Sequence, residues 1–221
     1  MNKEPSKIEN TVYWGLNKFA NCVMVTLLWI IFCIPVVTIG ASSAAMYGTV
    51  YRVILHDRDT VWSNFWRTFR TYFKKTTVMW LILLAVIAFS VFGWMLTYGA
   101  MLQGSPMGMY NPLFFIPIVY VLVLGVYVFA YVIRFDTDIR HIMKTSATLA
   151  VINLHWSLLM FVLMIVAALC MVKYPITIFF APGMVCVGYA WVLEKVFRKI
   201  MRPEDLQKEL DREEQERRDR M

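Results

Sequence analysis

The residues able to do chemistry are few and scattered. His56, His141 and His155 stand far apart, and none belongs to an HExxH motif or another ligand-spaced group, so a zinc site is not expected. Cys22, Cys33, Cys170 and Cys186 all lie inside apolar runs without CxxC spacing, and read as small apolar residues rather than redox or metal groups. Asp136 and Asp138 fall on different faces of a helix beside Arg134 and Arg140, which favours local ion pairing over proton relay. Asp57 and Asp59 flank Arg58 in what reads as a solvated turn. No phosphate-binding glycine loop, dinucleotide glycine pattern or GxSxG elbow occurs. The chain is therefore not expected to be an enzyme, and its sequence calls for no cofactor or metal.

The elements that must carry these residues belong to a membrane protein. Hydrophobic residues make up 59% of the 221 and charged ones only 17%, more apolar side chain than a soluble domain of this length can bury. Mean hydropathy is +0.57. The net charge of +7 sits in blocks beside apolar segments without a recognition motif, so nucleic acid is not expected, and anionic lipid head groups of the bilayer are the expected partner. The polar N-terminus has no compact apolar core with a small-residue cleavage site, so no removable signal peptide is expected.

Uncharged runs cover residues 19–51, 76–133, 154–172 and 174–193. A crossing helix needs about 20 residues, so the second run holds two spans and the last two hold one each. The first run is too long for one span and tight for two. It is broken at Pro35-Val36-Val37-Thr38-Ile39-Gly40, after which Ser42 or Ser43 can cap a new helix. Two crossings there leave only Lys173 on the outer side; a single crossing also moves Lys3, Lys7 and Lys18 outside. The expected fold is an all-α, polytopic transmembrane helix bundle of six spans, with five as the alternative. The membrane domain covers residues 1–197, with spans near 13–34, 42–56, 76–99, 112–134, 153–172 and 175–195. Both termini then face the cytoplasm.

Three further stretches matter. Trp62, Phe65, Trp66, Phe69 and Phe73 line one face of a helix over residues 62–75, with Arg67, Arg70 and Lys74 on another. This predicts an amphipathic helix either lying in the cytoplasmic interface or packed under the bundle. Residues 134–144 should continue the fourth span into the cytoplasm. Asn153 is expected to cap the fifth span, and Glu213/Arg217, Glu214/Arg218 and Glu216/Arg220 predict a charged tail helix within 198–221. The span centres hold no ionisable residue, which disfavours an ion-coupled transporter.

The segment from Asn21 through Pro35-Val36-Val37-Thr38-Ile39-Gly40 to Ala44-Ala45-Met46-Tyr47 resembles the signature of the YesL family of bacterial membrane proteins, a domain of unknown function. Phe65-Trp66-Arg67-Thr68-Phe69-Arg70, Phe73-Lys74 and Arg134-Phe135-Asp136 resemble its other recurrent blocks, and the likeness runs to about Phe197. Ala41 and Asn64 depart from the usual proline and aspartate. The resemblance marks Asn21, Pro35, Thr38, Gly40 and Tyr47 as a candidate motif. Candidate interface residues are Phe65, Trp66, Arg67, Phe69, Arg70, Lys74, Arg134 and Asp136. It implies a multi-pass protein of the bacterial plasma membrane, and, since such genes accompany binding-protein-dependent sugar transporters, a non-enzymatic accessory to carbohydrate uptake whose partner is a sugar ABC-transporter complex. No EAA-type loop marks the chain as the permease itself. The alternative is a small-solute channel or uncoupled carrier gated at the Pro35 to Gly40 break.

Overall fold

The computed structural model describes residues 7–56, 60–135 and 137–199, with side chains from Tyr13 onward apart from Trp14. Among these residues there are helices and no strand. Helix α1 spans Lys7–Cys33, and a 3-10 turn, Val36–Thr38, leads into α2, Ile39–Thr49, which runs on as a π-helical stretch, Val50–Leu55. Next come α3, Val61–Leu102, a 3-10 segment, Pro106–Phe114, and α4, Phe115–Phe135. The chain closes with α5, Ile139–Ile152, α6, Leu154–Lys173, a 3-10 turn, Pro175–Phe179, and α7, Ala181–Arg198.

The breaks have local causes. Pro35 is extended (φ −77°, ψ 123°) and cannot continue α1. Gly104 adopts φ +70°, a conformation that favours glycine, and Pro106 opens the following turn. Pro175 and Pro182 occupy first-turn positions, where their missing N–H costs nothing.

The pairs α1 and α2, α2 and α3, α3 and α4, and α6 and α7 pack antiparallel. Trp29 bonds Ser43, and Lys18 reaches the Ile54 carbonyl, which pairs α1 with α2 along the full length of α2. Gly40 faces Thr76 and Trp80 while Gly48 faces Thr68, so α2 also runs against the first half of α3. Trp94 meets Phe115 and Trp80 meets Phe129 across α3 and α4. Tyr189 bonds the Met160 carbonyl across α6 and α7, and α7 closes on α1 where the Gly183 N–H donates to Thr26 Oγ1 at 3.1 Å. The centre of this arrangement holds Tyr127, Phe65, Phe197, Met79 and Leu83, all fully buried.

Among the described residues, four helical segments are long and apolar enough to cross a membrane: residues Gly15–Cys33, Val61–Leu102, Pro106–Phe135 and Leu154–Lys173. They match the expected first, third, fourth and fifth spans. The expected spans at 42–56 and 175–195 correspond to α2 with its π-helical extension and to α7 with its preceding turn, and neither is among the four.

Three local expectations need revision. The amphipathic stretch at 62–75 is not a separate helix: no proline or glycine interrupts residues 61–92, and α3 runs unbroken for 42 residues. At about 1.5 Å per residue that is roughly 63 Å, twice the hydrocarbon thickness of a bilayer. Residues 134–144 do not extend the fourth span, because α4 stops at Phe135 and α5 folds back along it, with Tyr131 beside His141 and Tyr120 bonded to the Ala147 carbonyl. Asn153 holds the N-cap position of α6 without a side-chain cap; its amide donates backward to the Leu149 carbonyl, closing the end of α5 instead. The tail helix expected within 198–221 lies outside the described residues beyond Lys199.

Candidate functional site

The first group of candidate residues forms the turn between α1 and α2. Ending α1 at Cys33 leaves its last carbonyls without helical partners. Thr38 Oγ1 donates to the Phe32 carbonyl at 2.7 Å and Ser42 Oγ donates to the same oxygen at 2.8 Å. The Pro35 carbonyl accepts from the Thr38 N–H at 3.0 Å and from its hydroxyl at 2.7 Å, and the Val36 carbonyl accepts from Trp80 Nε1 at 2.8 Å. Ser42 thus serves the preceding helix rather than capping its own.

Gly40 is where α2 touches α3. A Cβ there would sit 2.5 Å from Trp80 Cβ and 2.9 Å from the Thr76 carbonyl oxygen, so only hydrogen fits. Pro35, Thr38 and Gly40 are therefore one device: proline ends the helix, threonine takes up its carbonyls, and glycine lets the returning helix press on α3. Asn21 lies half-buried on α1, immediately before Cys22, whose carbonyl faces Gly183 of α7 together with Thr26.

Tyr47, the last of the motif residues, belongs to a different place. It is buried, its hydroxyl has no hydrogen-bond partner among the described residues, and its ring stacks with Tyr51 at 6.3 Å. Arg134 from α4 lies over the Tyr51 ring at 5.3 Å and over Phe197 of α7 at 5.8 Å. Glu194 is held by Arg198 at 2.7 Å, one turn along α7. His56 closes the edge through Nδ1, 2.7 Å from the Tyr51 carbonyl.

The tertiary structure thus joins two residues that stood in separate groups in the sequence, Tyr47 and Arg134. It adds Tyr51, Glu194 and Phe197, which sequence reasoning did not single out. One signal was available for Glu194: it is the first charge after the last apolar run and stands four residues before Arg198. The arrangement sets the Arg134 guanidinium on the Tyr51 and Phe197 rings where α4 and α7 meet the extension of α2.

The interface candidates divide between core and surface. Phe65, Trp66 and Phe69 enclose Phe32, with ring centroids at 5.6, 5.6 and 5.0 Å, so this face packs against α1. Arg67, Arg70 and Lys74 are exposed, and Arg70 lies over the Trp66 ring at 4.6 Å. Asp136 lies outside the described residues. The three histidines remain apart, beside Tyr51, Tyr131 and Trp156, and among the described residues no group of His, Cys, Asp and Glu is disposed to hold a metal ion.

Residues 22–94 match the model of a family described as a protein of unknown function, DUF624. That stretch takes in the C-terminal part of α1 from Cys22, the α1 to α2 turn, α2 and α3 as far as Trp94, and so includes the whole Pro35 to Gly40 device and its seat on Thr76 and Trp80. No curated protein and no solved structure matches the chain.

Proposed function

We propose that this chain is a YesL-type multi-pass protein of the bacterial plasma membrane that acts, without catalysis of its own, as an accessory to carbohydrate uptake, in lateral contact with a sugar ABC-transporter complex. The observation that carries the reading is the sidedness of its helices. On α6 only Ser157, Met160 and Ala167 are buried, so most of that helix presents apolar side chains outward, where lipid or the spans of another membrane protein can lie. The DUF624 match over residues 22–94 agrees with the resemblance of the hinge residues to the YesL signature.

The same proposal includes the six-span topology with cytoplasmic termini, in which α2 is a short crossing enclosed by α1, α3 and α7. Enclosure by protein removes the need for a fully apolar surface on α2. A cysteine introduced beside Lys173 should then react with an impermeant reagent in intact cells, and one beside Lys7 should not; external labelling beside Lys7 restores five spans. The channel reading rests on free backbone groups at the helix break. The Phe32, Pro35 and Val36 carbonyls are engaged by Thr38, Ser42 and Trp80, which leaves that reading without its main support.

The decisive experiment is affinity purification of the tagged protein from native membranes in mild detergent. Stoichiometric recovery of a sugar-transporter permease or its ATPase is the expected outcome. Recovery of the protein alone, together with solute flux in liposomes that contain nothing else, overturns the accessory reading in favour of an autonomous carrier.

A further inference from the structure

The C-terminal helical hairpin carries a cationic and aromatic patch that no part of the proposed function uses. Lys195 of α7 places its ammonium 3.4 Å from the centre of the Trp191 ring, one turn earlier, and 5.8 Å from that of Trp156 on α6. His155 lies against Trp156, with ring centroids 5.1 Å apart. Lys195 is exposed and Trp191 is 53% exposed. The Lys195 ammonium and the indole N–H groups of Trp156 and Trp191 make no hydrogen bond to the described residues. A cation and two indoles thus gather where α6 meets α7, Trp156 half-buried against the core and Trp191 and Lys195 exposed.

The level of this patch is fixed by α6. Its 20 residues, Leu154–Lys173, measure about 30 Å, the thickness of the bilayer hydrocarbon. At the far end Lys173 sits over the Tyr174 ring at 5.7 Å, a second cation and aromatic pair. Both ends of the span are marked by the side chains that favour the lipid head-group layer, and Leu154 and Leu158 beside the patch are outward and apolar. A ligand here meets positive charge and N–H donors on one side and hydrocarbon on the other. Free inorganic phosphate would satisfy only the first.

We propose that Trp156, Trp191 and Lys195 form a binding site for the phosphodiester of an anionic phospholipid, with its acyl chains lying along the outer face of α6. The phosphate oxygens accept from the ammonium and the indoles, and the rings hold the ammonium at the level of the phosphate. The site rests on the chain being a membrane protein and is independent of the accessory role.

The test uses the full chain reconstituted in vesicles of phosphatidylcholine and phosphatidylglycerol. The lipids retained on the protein after mild detergent extraction are measured by native mass spectrometry. Phosphatidylglycerol is expected to be enriched over its share of the vesicle. Lys195→Gln should reduce the enrichment about fivefold, the scale of one lysine at an anionic surface. Lys195→Arg should retain it, and Trp191→Phe, which keeps the ring but removes the N–H, should reduce it by less. Equal retention of both lipids by the native chain, or unchanged enrichment in Lys195→Gln, overturns the proposal. Displacement of the lipid by millimolar inorganic phosphate also overturns it, by reassigning the site to free anions. Failure of the chain to float with the vesicles would count against the membrane reading itself, which separates that outcome from loss of this one site.

Discussion

Helices α2 and α6 both come from uncharged stretches, yet they meet opposite surroundings. Nine of the eleven residues of α2 are buried, whereas only three of the twenty in α6 are. The buried helix is built mostly from Gly, Ala, Ser and Thr, which let it sit among α1, α3, α4 and α7; the exposed one is built mostly from Leu, Val, Ile and Met. The apolar run in the sequence thus marks a helix whose side chains face outward, while the small and weakly polar run marks a helix enclosed by its neighbours. In a membrane the usual contrast inverts, because hydrocarbon outside is as apolar as the core, and close packing rather than exclusion from water drives helix association.

Substitutions in these two regions should separate widely. The largest effect is expected from Phe65→Ala, which empties the position where α3 packs on Phe32: roughly 3 to 5 kcal/mol of stability, read as a fall in unfolding midpoint of the purified protein in detergent. A loss below about 1 kcal/mol would mean that the 61–75 part of α3 does not pack on α1. Gly40→Ala comes next, at roughly 1 to 3 kcal/mol, because its new Cβ meets Trp80 and the Thr76 carbonyl. Gly99→Ala is the control, with no atom within 4 Å of the added carbon, and should be neutral or slightly stabilising.

Smaller effects sharpen the same contrast. Thr38→Ala removes the hydroxyl shared by the Phe32 and Pro35 carbonyls, and should cost about 1 kcal/mol. Tyr47→Phe deletes a buried hydroxyl that has no hydrogen-bond partner among the described residues. It should leave stability unchanged or raise it by up to about 1 kcal/mol. A marked loss in that variant would reveal that the hydroxyl is bonded in the membrane. Leu169→Ala, on the outward face of α6, should change stability by less than about 0.5 kcal/mol in the same assay. A large loss there would place a protein neighbour, rather than lipid, on α6.

The hinge was legible because its residues act locally. Proline breaks the helix it sits in, a threonine three residues on can reach back to the freed carbonyls, and a glycine beyond it signals close approach. The continuity of α3 was less visible. The switch from an amphipathic to a uniformly apolar pattern at Thr76 resembles a boundary, although the backbone has no reason to break there. The polar cluster was hidden for a different reason. Tyr47, Arg134 and Glu194 stand on three helices far apart in the chain, and no periodicity relates one helix to another.

From the sequence alone came the membrane class, the all-helical architecture, the four long apolar helices and the turn at Pro35. These depend on hydropathy and on residue types that act within a few positions of themselves. The tertiary structure decided that α2 is enclosed by protein, that the aromatic face of residues 62–75 packs on Phe32, and that α5 folds back along α4. It also decided that Arg134 lies over Tyr51, which stacks on Tyr47, and over Phe197 of α7. Each of these depends on which helix lies against which, a choice set by side-chain fit between segments distant in the chain.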